Sequence, residues 1–301
     1  MTSADRASLR EYLSEQVQAV DHVLGFWVPD ESVDPVSIHR AMRYSLFAGG
    51  KRIRPILAIA SARAISSDSE TGVEHAAAAL ELVHTYSLIH DDLPALDNDD
   101  LRRGRPTCHK VFGDAIAILA GDALLTLAFE VLSRIEQVGA ERKIRLVEEL
   151  SRAAGTVGGM IGGQVNDLEG ERKTPTALLL ESIHRAKTGA LLCASVRAGA
   201  IYAGASDSEL AALSHYGEHV GLAFQIVDDL LDVEEPSQAL GKTAGKDEAQ
   251  QKVTFPAVYG LERSHEMAEQ ERLQAHLALR GFGDRAERLR QIADFVVQRK
   301  A

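Results

Sequence analysis

The chain has 301 residues, 45% hydrophobic and 26% charged, so it holds enough apolar side chain to bury a sizeable core and is not a disordered segment. A formal net charge of −11 argues against non-specific nucleic-acid binding, which needs excess Lys and Arg to neutralise phosphates, but leaves room for a local basic cluster that takes a small anion. Two cysteines, Cys108 and Cys193, in no metal-like spacing point to a reducing cytoplasmic setting. The polar N-terminus has no secretory apolar region, and no uncharged apolar run reaches the roughly 18 residues expected of a transmembrane segment.

Ala, Leu, Glu and Arg dominate, and strand-like alternation is scarce, so the expected fold is all-α. Pro35 suits the first turn of a helix that Gly49-Gly50 stops. Further helices are expected at about 53–66, 74–92, 112–135, 141–170, 176–204, 207–234, 255–280 and 284–299. Several are apolar on more than one face, as helices in the middle of a large helical assembly are. No Pro/Gly/Ser-rich linker divides the chain, so 1–301 reads as a single domain. The segment 234–253, rich in Lys and Gly, is the best loop candidate.

Two stretches echo each other. "LIHDDLPALD" (88–97) and "QIVDDLLD" (225–232) both run from apolar residues into Asp-Asp-Leu and a further Asp, near the C-terminal part of a long apolar helix. Acidic pairs on helices usually face water, but two copies preceded by apolar residues describe carboxylates at the mouth of a cavity. Asp228 and Asp232, four apart, share one helix face. Their repulsion is relieved by a hard divalent cation, and oxygen-only ligands suit Mg²⁺, which is commonly held by one or two carboxylates plus substrate phosphates. Asp91 and Asp97 are six apart and would not align on an ideal helix, but Pro94 between them should end the helix near Leu93 and let Asp97 swing back.

Cations stand beside the acids. "GGKRIRP" (49–55) offers Lys51, Arg52 and Arg54, and "LRRGRP" (101–106) offers Arg102 and Arg103. Lys187-Thr188 lies within a helix, and Lys242 and Lys246 lie in "GKTAGKD". Arg reads phosphate bidentately and Lys acts as a point charge. Two basic sets beside two acidic sets suggest two phosphorylated ligands, one carried by metal and one by side chains. His84, two turns before Asp91, could reach the cavity, whereas His90 reads as structural. Gln225, nearly on the face of Asp228, is a candidate contact. "GGMIGGQVNDLEG" (158–170) has no lysine and no preceding strand, and reads as a helix kept thin for close packing.

The motifs "GGKRIRP", "ELVHTYSLIHDDLPALDNDDLRRGRPTCHKVFG", "AILAGDALL", "GGQVNDL", "KTGAL", "FQIVDDLLD" and "GKTAGKD", in this order over about 43 to 260, resemble the trans-isoprenyl diphosphate synthase family. The resemblance implies an all-α bundle of about ten or more helices around a deep central cavity, a homodimer, and Mg²⁺, with three ions per active site. It implies that Asp91, Asp92, Asp97 and Asp228, with Asp232, are the metal set carrying an allylic diphosphate. Arg102, Lys187, Thr188, Gln225 and Lys242 would contact that diphosphate, and Lys51, Arg54, His84 and Arg103 would bind isopentenyl diphosphate. Asn98 stands where some members have another Asp.

Tyr86 and Ser87, five and four residues before Asp91, lie deeper along the helix. In the short-chain bacterial members that the chain resembles, a bulky aromatic at the former position and a first acidic motif two residues longer accompany a C15 product. Farnesyl diphosphate is therefore expected, with geranylgeranyl diphosphate (C20) as the alternative. A non-catalytic, prenyl-diphosphate-binding subunit of the same fold is a second class, disfavoured by two complete acidic motifs.

Overall fold

The computed structural model describes residues 3–66, 72–170, 176–234 and 253–299. Helices α1 (Ser3–Trp27), α2 (Val36–Leu46), α3 (Ile53–Ile65) and α4 (Val73–Asp91) lead to a short antiparallel hairpin, β1 (Leu101–Arg102) and β2 (Arg105–Pro106). Then come α5 (Cys108–Phe112), α6 (Asp114–Arg134), α7 (Ala140–Ala154), α8 (Met160–Gly170) and α9 (Ala177–His184). A π-helical turn, Arg185–Gly189, joins α9 to α10 (Ala190–Ala203); α11 (Asp207–Glu234), α12 (Phe255–Tyr259), α13 (Leu261–Ala278) and α14 (Glu287–Gln298) follow.

The helices that lack a polar face are the central ones. α3 is buried without interruption from Pro55 to Ala62. α4 carries Ala76, Ala77, Ala78 and Ala79, all buried, and such small side chains let neighbouring backbones approach on every side. α10 packs against both α3 and α11, and α4 packs along α3 and α6. One face of the α3–α10 pair closes an apolar cluster with α4, α6 and α7, and the other closes a second with α11 and α14. Burial on both sides explains the all-round apolar reading of these segments.

Two expected helices are each two, whereas 112–135 is the single helix α6. The segment 141–170 divides between Gly155 and Gly159, and 255–280 at Gly260. Each break falls at glycine, which costs a helix interior about 1 kcal/mol relative to Ala. The N-terminal segment, read from sequence only as polar, forms α1 and buries Leu9, Tyr12, Val20 and Leu24 along one stripe. The hairpin was not foreseen either. Its turn, Arg103-Gly104, has positive φ at both central residues, the geometry that closes a two-residue hairpin. Most of the 234–253 loop candidate, including Lys242 and Lys246, lies outside the described residues. By length and composition α6 alone among the described helices could cross a membrane, but it packs along α4 and α2 and carries Asp122 and Glu130.

Candidate active site

The first acidic motif sits at the C-terminal end of α4. The helix ends at Asp91, with Asp92 as its cap, and the chain folds back as Pro94 demands: the Asp97 amide donates to the Asp91 carbonyl at 2.8 Å, and the Asp99 amide to that of Asp92 at 3.2 Å. Asp97 is thereby returned to the side of Asp91 despite the spacing of six. Asn98 takes a left-handed conformation, φ 48°, which Asn tolerates better than most residues. Burial, opposed by Lys187 and Arg102 and reinforced by Asp97 and Asp92, pushes the Asp91 carboxyl up to about 6. Asp92 is differently used. Arg102 Nε lies 2.9 Å from both its oxygens and Nη2 2.7 Å from Oδ1, a buried fork that locks the hairpin to α4.

Beside this motif stands the loop between α2 and α3. Arg52, in a left-handed conformation, is buried and turned inward, donating to Asp21, Glu81 and the Leu46 carbonyl. Its neighbours Lys51 and Arg54 are left facing the site. Arg103 Nη1 donates to the Gly49 carbonyl, and its guanidinium lies where a Cβ on Gly50 would stand, so the glycine pair is what lets the hairpin reach the loop. Burial lowers Arg54 to about 10, still charged at neutral pH, and its Nε is buried without a hydrogen-bond partner among the described residues. Burial, with the fields of Arg54 and Arg103, drives His84 well below the ordinary imidazole range. His84 is therefore a neutral ring among cations. Partial burial and then Arg299 lower Lys51, against the pull of Asp228.

The facing wall comes from α8, the π turn and α11. π turns concentrate at functional sites because they re-aim side chains within a helix, and this one carries Lys187 and Thr188. Lys187 Nζ donates to Asp167 Oδ2 at 2.6 Å. Gly163 brings α8 against the Lys187 backbone so closely that any Cβ there would collide with it; the glycine-rich motif is thin for this contact, as expected. On α11, Gln225 Nε2 lies 2.9 Å from His184 Nδ1, while Asp228 Oδ1 accepts from Arg299 at 3.2 Å. Asp229 and Asp232 are buried. The two acidic helix ends belong to one electrostatic network, since Lys187 acts on both Asp91 and His184, and Asp228 on His184, Lys51 and Arg54.

Tyr86 and Ser87 lie on α4 below Asp91. Tyr86 is buried and meets His90 edge-on, ring centroids 5.6 Å apart. His90 in turn reaches the Ile118 carbonyl of α6 at 3.0 Å, the structural part expected of it. Ser87 Oγ donates back to the His84 carbonyl at 2.8 Å.

For Mg²⁺, the chemistry of the donor set decides the fit. Among the described residues no three His, Cys, Asp or Glu side chains already converge as on a bound ion. Asp91, though, is an oxygen donor whose burial and proximity to Asp97 disfavour its ionised form, a cost that a hard divalent cation lifts. The fit is good for Asp91 and Asp97, with Asp92 engaged by Arg102 and Asp228 by Arg299. Sequence reasoning missed the inward role of Arg52 and the contributions of Asp167, His184 and Arg299. Asp167 lay within a matching motif and was legible; the other three pair across distances that no local pattern reports.

Residues 35–295 match the family model described as polyprenyl synthetase. Among curated relatives, a farnesyl diphosphate synthase of Geobacillus stearothermophilus is 49% identical over 256 residues, covering 84% of this chain and 85% of the relative. Geranylgeranyl pyrophosphate synthase 12, chloroplastic, of Arabidopsis thaliana is 48% identical over 278 residues, 91% of this chain and 76% of the relative. A crystal structure of an FPP/GFPP synthase from Zymomonas mobilis, in its apo form, superposes with a TM-score of 0.85 at 37% identity, covering 97% of this chain and 99% of that one.

Proposed function

Because the chain belongs to the polyprenyl synthetase family and is a short-chain trans-prenyltransferase, we propose that it joins isopentenyl diphosphate to dimethylallyl or geranyl diphosphate, ends at farnesyl diphosphate (C15), and releases pyrophosphate. The observation that carries this reading is the sorting of charge into two anchors. Arg54 and Arg103 gather round neutral His84, and Lys51 stands on the loop just before Arg54, a cationic set suited to one diphosphate without metal. Asp91 and Asp97 face Lys187, a mixed set suited to a second diphosphate that arrives with cations.

The chain's own groups then have distinct tasks. Lys51, Arg54 and Arg103 hold isopentenyl diphosphate, with His84 alongside, so that its double bond is presented to the starter; such positioning supplies much of the acceleration. Arg102, Lys187, Thr188 and Gln225, with Lys242 from outside the described residues, orient the allylic diphosphate. Asp91, Asp92, Asp97, Asp228 and Asp232 would hold three Mg²⁺ ions, which when bound neutralise the charge growing on the departing diphosphate. The allylic carbon–oxygen bond breaks, the isopentenyl double bond attacks that carbon, and the proton then lost passes to pyrophosphate.

Tyr86 forms the floor that limits the product to C15. Burial, with Asp91 and Asp122, pushes its phenol up to about 12, so it stays neutral, and its ring is braced by His90. Geranylgeranyl diphosphate (C20) is the alternative product, because relatives of nearly equal identity carry geranylgeranyl names. We further propose one catalytic unit over 1–301 that works as a cytoplasmic homodimer. Free cysteines support the reducing compartment, and the exposed Ile118 and Leu119 on α6 offer apolar surface to a second copy. The deciding experiment incubates the purified protein with labelled isopentenyl diphosphate and each starter, with and without Mg²⁺, and measures product length. Mg²⁺-dependent C15 is expected; no condensation would defeat the reading, and C20 would replace its last step.

A further inference from the structure

One buried group beside the diphosphate anchors has no part in that reaction. His184 is the last residue of α9 and immediately precedes the π turn that carries Lys187 and Thr188. Its ring sits at the junction of three elements. Nδ1 is 2.9 Å from Gln225 Nε2 on α11. Nε2 lies 3.4 Å from Asp229 Oδ2, within electrostatic reach but off the hydrogen-bond line. The ring tilts over Phe255, centroids 5.2 Å apart, and the Phe255 amide donates to that same Asp229 oxygen at 2.9 Å.

These contacts fix protons as well as positions. Burial and Lys187 push the imidazole down to about 4, against Asp167, Asp228 and the Val253 backbone, so at neutral pH the ring has one donor and one acceptor. With a carboxylate beside Nε2, the proton belongs there, and Nδ1 is left as a lone pair. That lone pair accepts from the Gln225 amide in one orientation only, with NH₂ toward the ring. The second N–H of that amide is then a donor aimed by the protein, as an anionic ligand requires.

We infer that His184 is a positioning residue for the allylic diphosphate: with Asp229 beside its Nε2, it fixes the rotation of the Gln225 amide and ties α11 to the Lys187–Thr188 turn. The inference rests on the proposed prenyl-transfer reading. A buried histidine that only fills space is the competing account, and the two differ in what they couple.

The test compares His184→Leu, which removes the acceptor at similar bulk, with His184→Asn, whose Oδ1 can stand where Nδ1 stands. The Leu side chain leaves the Gln225 amide a part-buried donor without its acceptor. His184→Leu should therefore raise KM for geranyl diphosphate by roughly tenfold while KM for isopentenyl diphosphate stays within about twofold. His184→Asn should recover most of the loss, and His184→Leu should add little in a Gln225→Leu background. Equal rises in both KM values, no recovery by Asn, or additive losses would overturn the inference. Should the Leu variant not fold, ¹⁵N-edited imidazole spectra of the intact enzyme decide. A neutral Nε2–H tautomer for His184, assigned by its absence in His184→Asn, supports the inference, and an Nδ1–H tautomer ends it. Absence of wild-type turnover would instead defeat the parent reading, and the tautomer measurement is independent of turnover.

Discussion

Arg52 Nη1 donates to Glu81 Oε1 at 2.7 Å, and both side chains are buried. The pair ties the loop between α2 and α3 to the middle of α4. With Nε on Asp21 at 2.9 Å and Nη2 on the Leu46 carbonyl at 2.7 Å, the guanidinium also reaches α1 and the end of α2. Of the three cations in "GGKRIRP", Arg52 is thus the anchor that leaves Lys51 and Arg54 available. Arg52→Ala strands Glu81 as a buried, uncompensated charge, a change of about 3–5 kcal/mol, and Arg52→Lys cannot reproduce the fork. Denaturant unfolding should show a loss of that order for Arg52→Ala and a smaller one when Glu81→Gln is added. A change within the ordinary surface range of about 0.5 kcal/mol would mean that the pair carries no such burden.

Much of this was legible in the sequence, for identifiable reasons. Long apolar segments gave α3, α4, α10 and α11 because their burial is nearly all-round, and Pro94 announced the return of Asp97 that the Asp97–Asp91 backbone bond realises. What was not legible is pairing across the chain. Nothing local in "GGKRIRP" distinguishes Arg52 from Arg54, since the distinction is set by Glu81 and Asp21 on other helices. The π turn at Arg185–Gly189 and the seat of Lys187 on Asp167 likewise depend on where α8 crosses. The helix break at Gly260 is not legible because a single glycine inside a helical period costs too little to register by itself.

Asp91 makes a prediction on pH. Its carboxyl rises from 3.8 in the unfolded chain to about 6 in the fold, so between these values the folded state binds more protons. Stability in chelator should then fall as pH rises through that window. His84 and His184, lowered by burial, act in the opposite sense, so the difference between wild type and Asp91→Asn isolates the Asp91 contribution. The variant should be relatively more stable at pH 7 than at pH 4, and added Mg²⁺ should narrow the gap. A difference independent of pH would contradict the burial of this charge. In turnover, Asp91→Ala should lose about 10²-fold or more in kcat while keeping the helical circular dichroism of the parent.

Tyr86→Ala opens the floor below Asp91 by the volume of a phenol. The product should lengthen from C15 toward C20, read by chromatography of the dephosphorylated alcohols. Because His90, tied to α6 through the Ile118 carbonyl, braces the ring, His90→Ala should give a weaker shift in the same direction. An unchanged product from Tyr86→Ala removes the residue from the chain-length role.

Arg299 closes the second motif from the other end of the chain. Its guanidinium lies over the Phe224 ring at 4.0 Å, and Nη2 donates to the Phe224 carbonyl and to Asp228 Oδ1, each at 3.2 Å. Burial lowers its pKa, and its field also weighs on Lys51. In this geometry Arg299 is a resident counter-ion of Asp228, and any Mg²⁺ that uses Asp228 must compete with it. An ion pair with one partner half-exposed is worth about 0–1 kcal/mol, so removing the cation should ease metal entry by a similar amount. Arg299→Gln is therefore expected to lower the Mg²⁺ concentration for half-maximal activity by up to about fivefold. A titration of initial rate against free Mg²⁺ checks it: a half-saturation point that stays fixed or moves upward would show that Arg299 does not compete for Asp228.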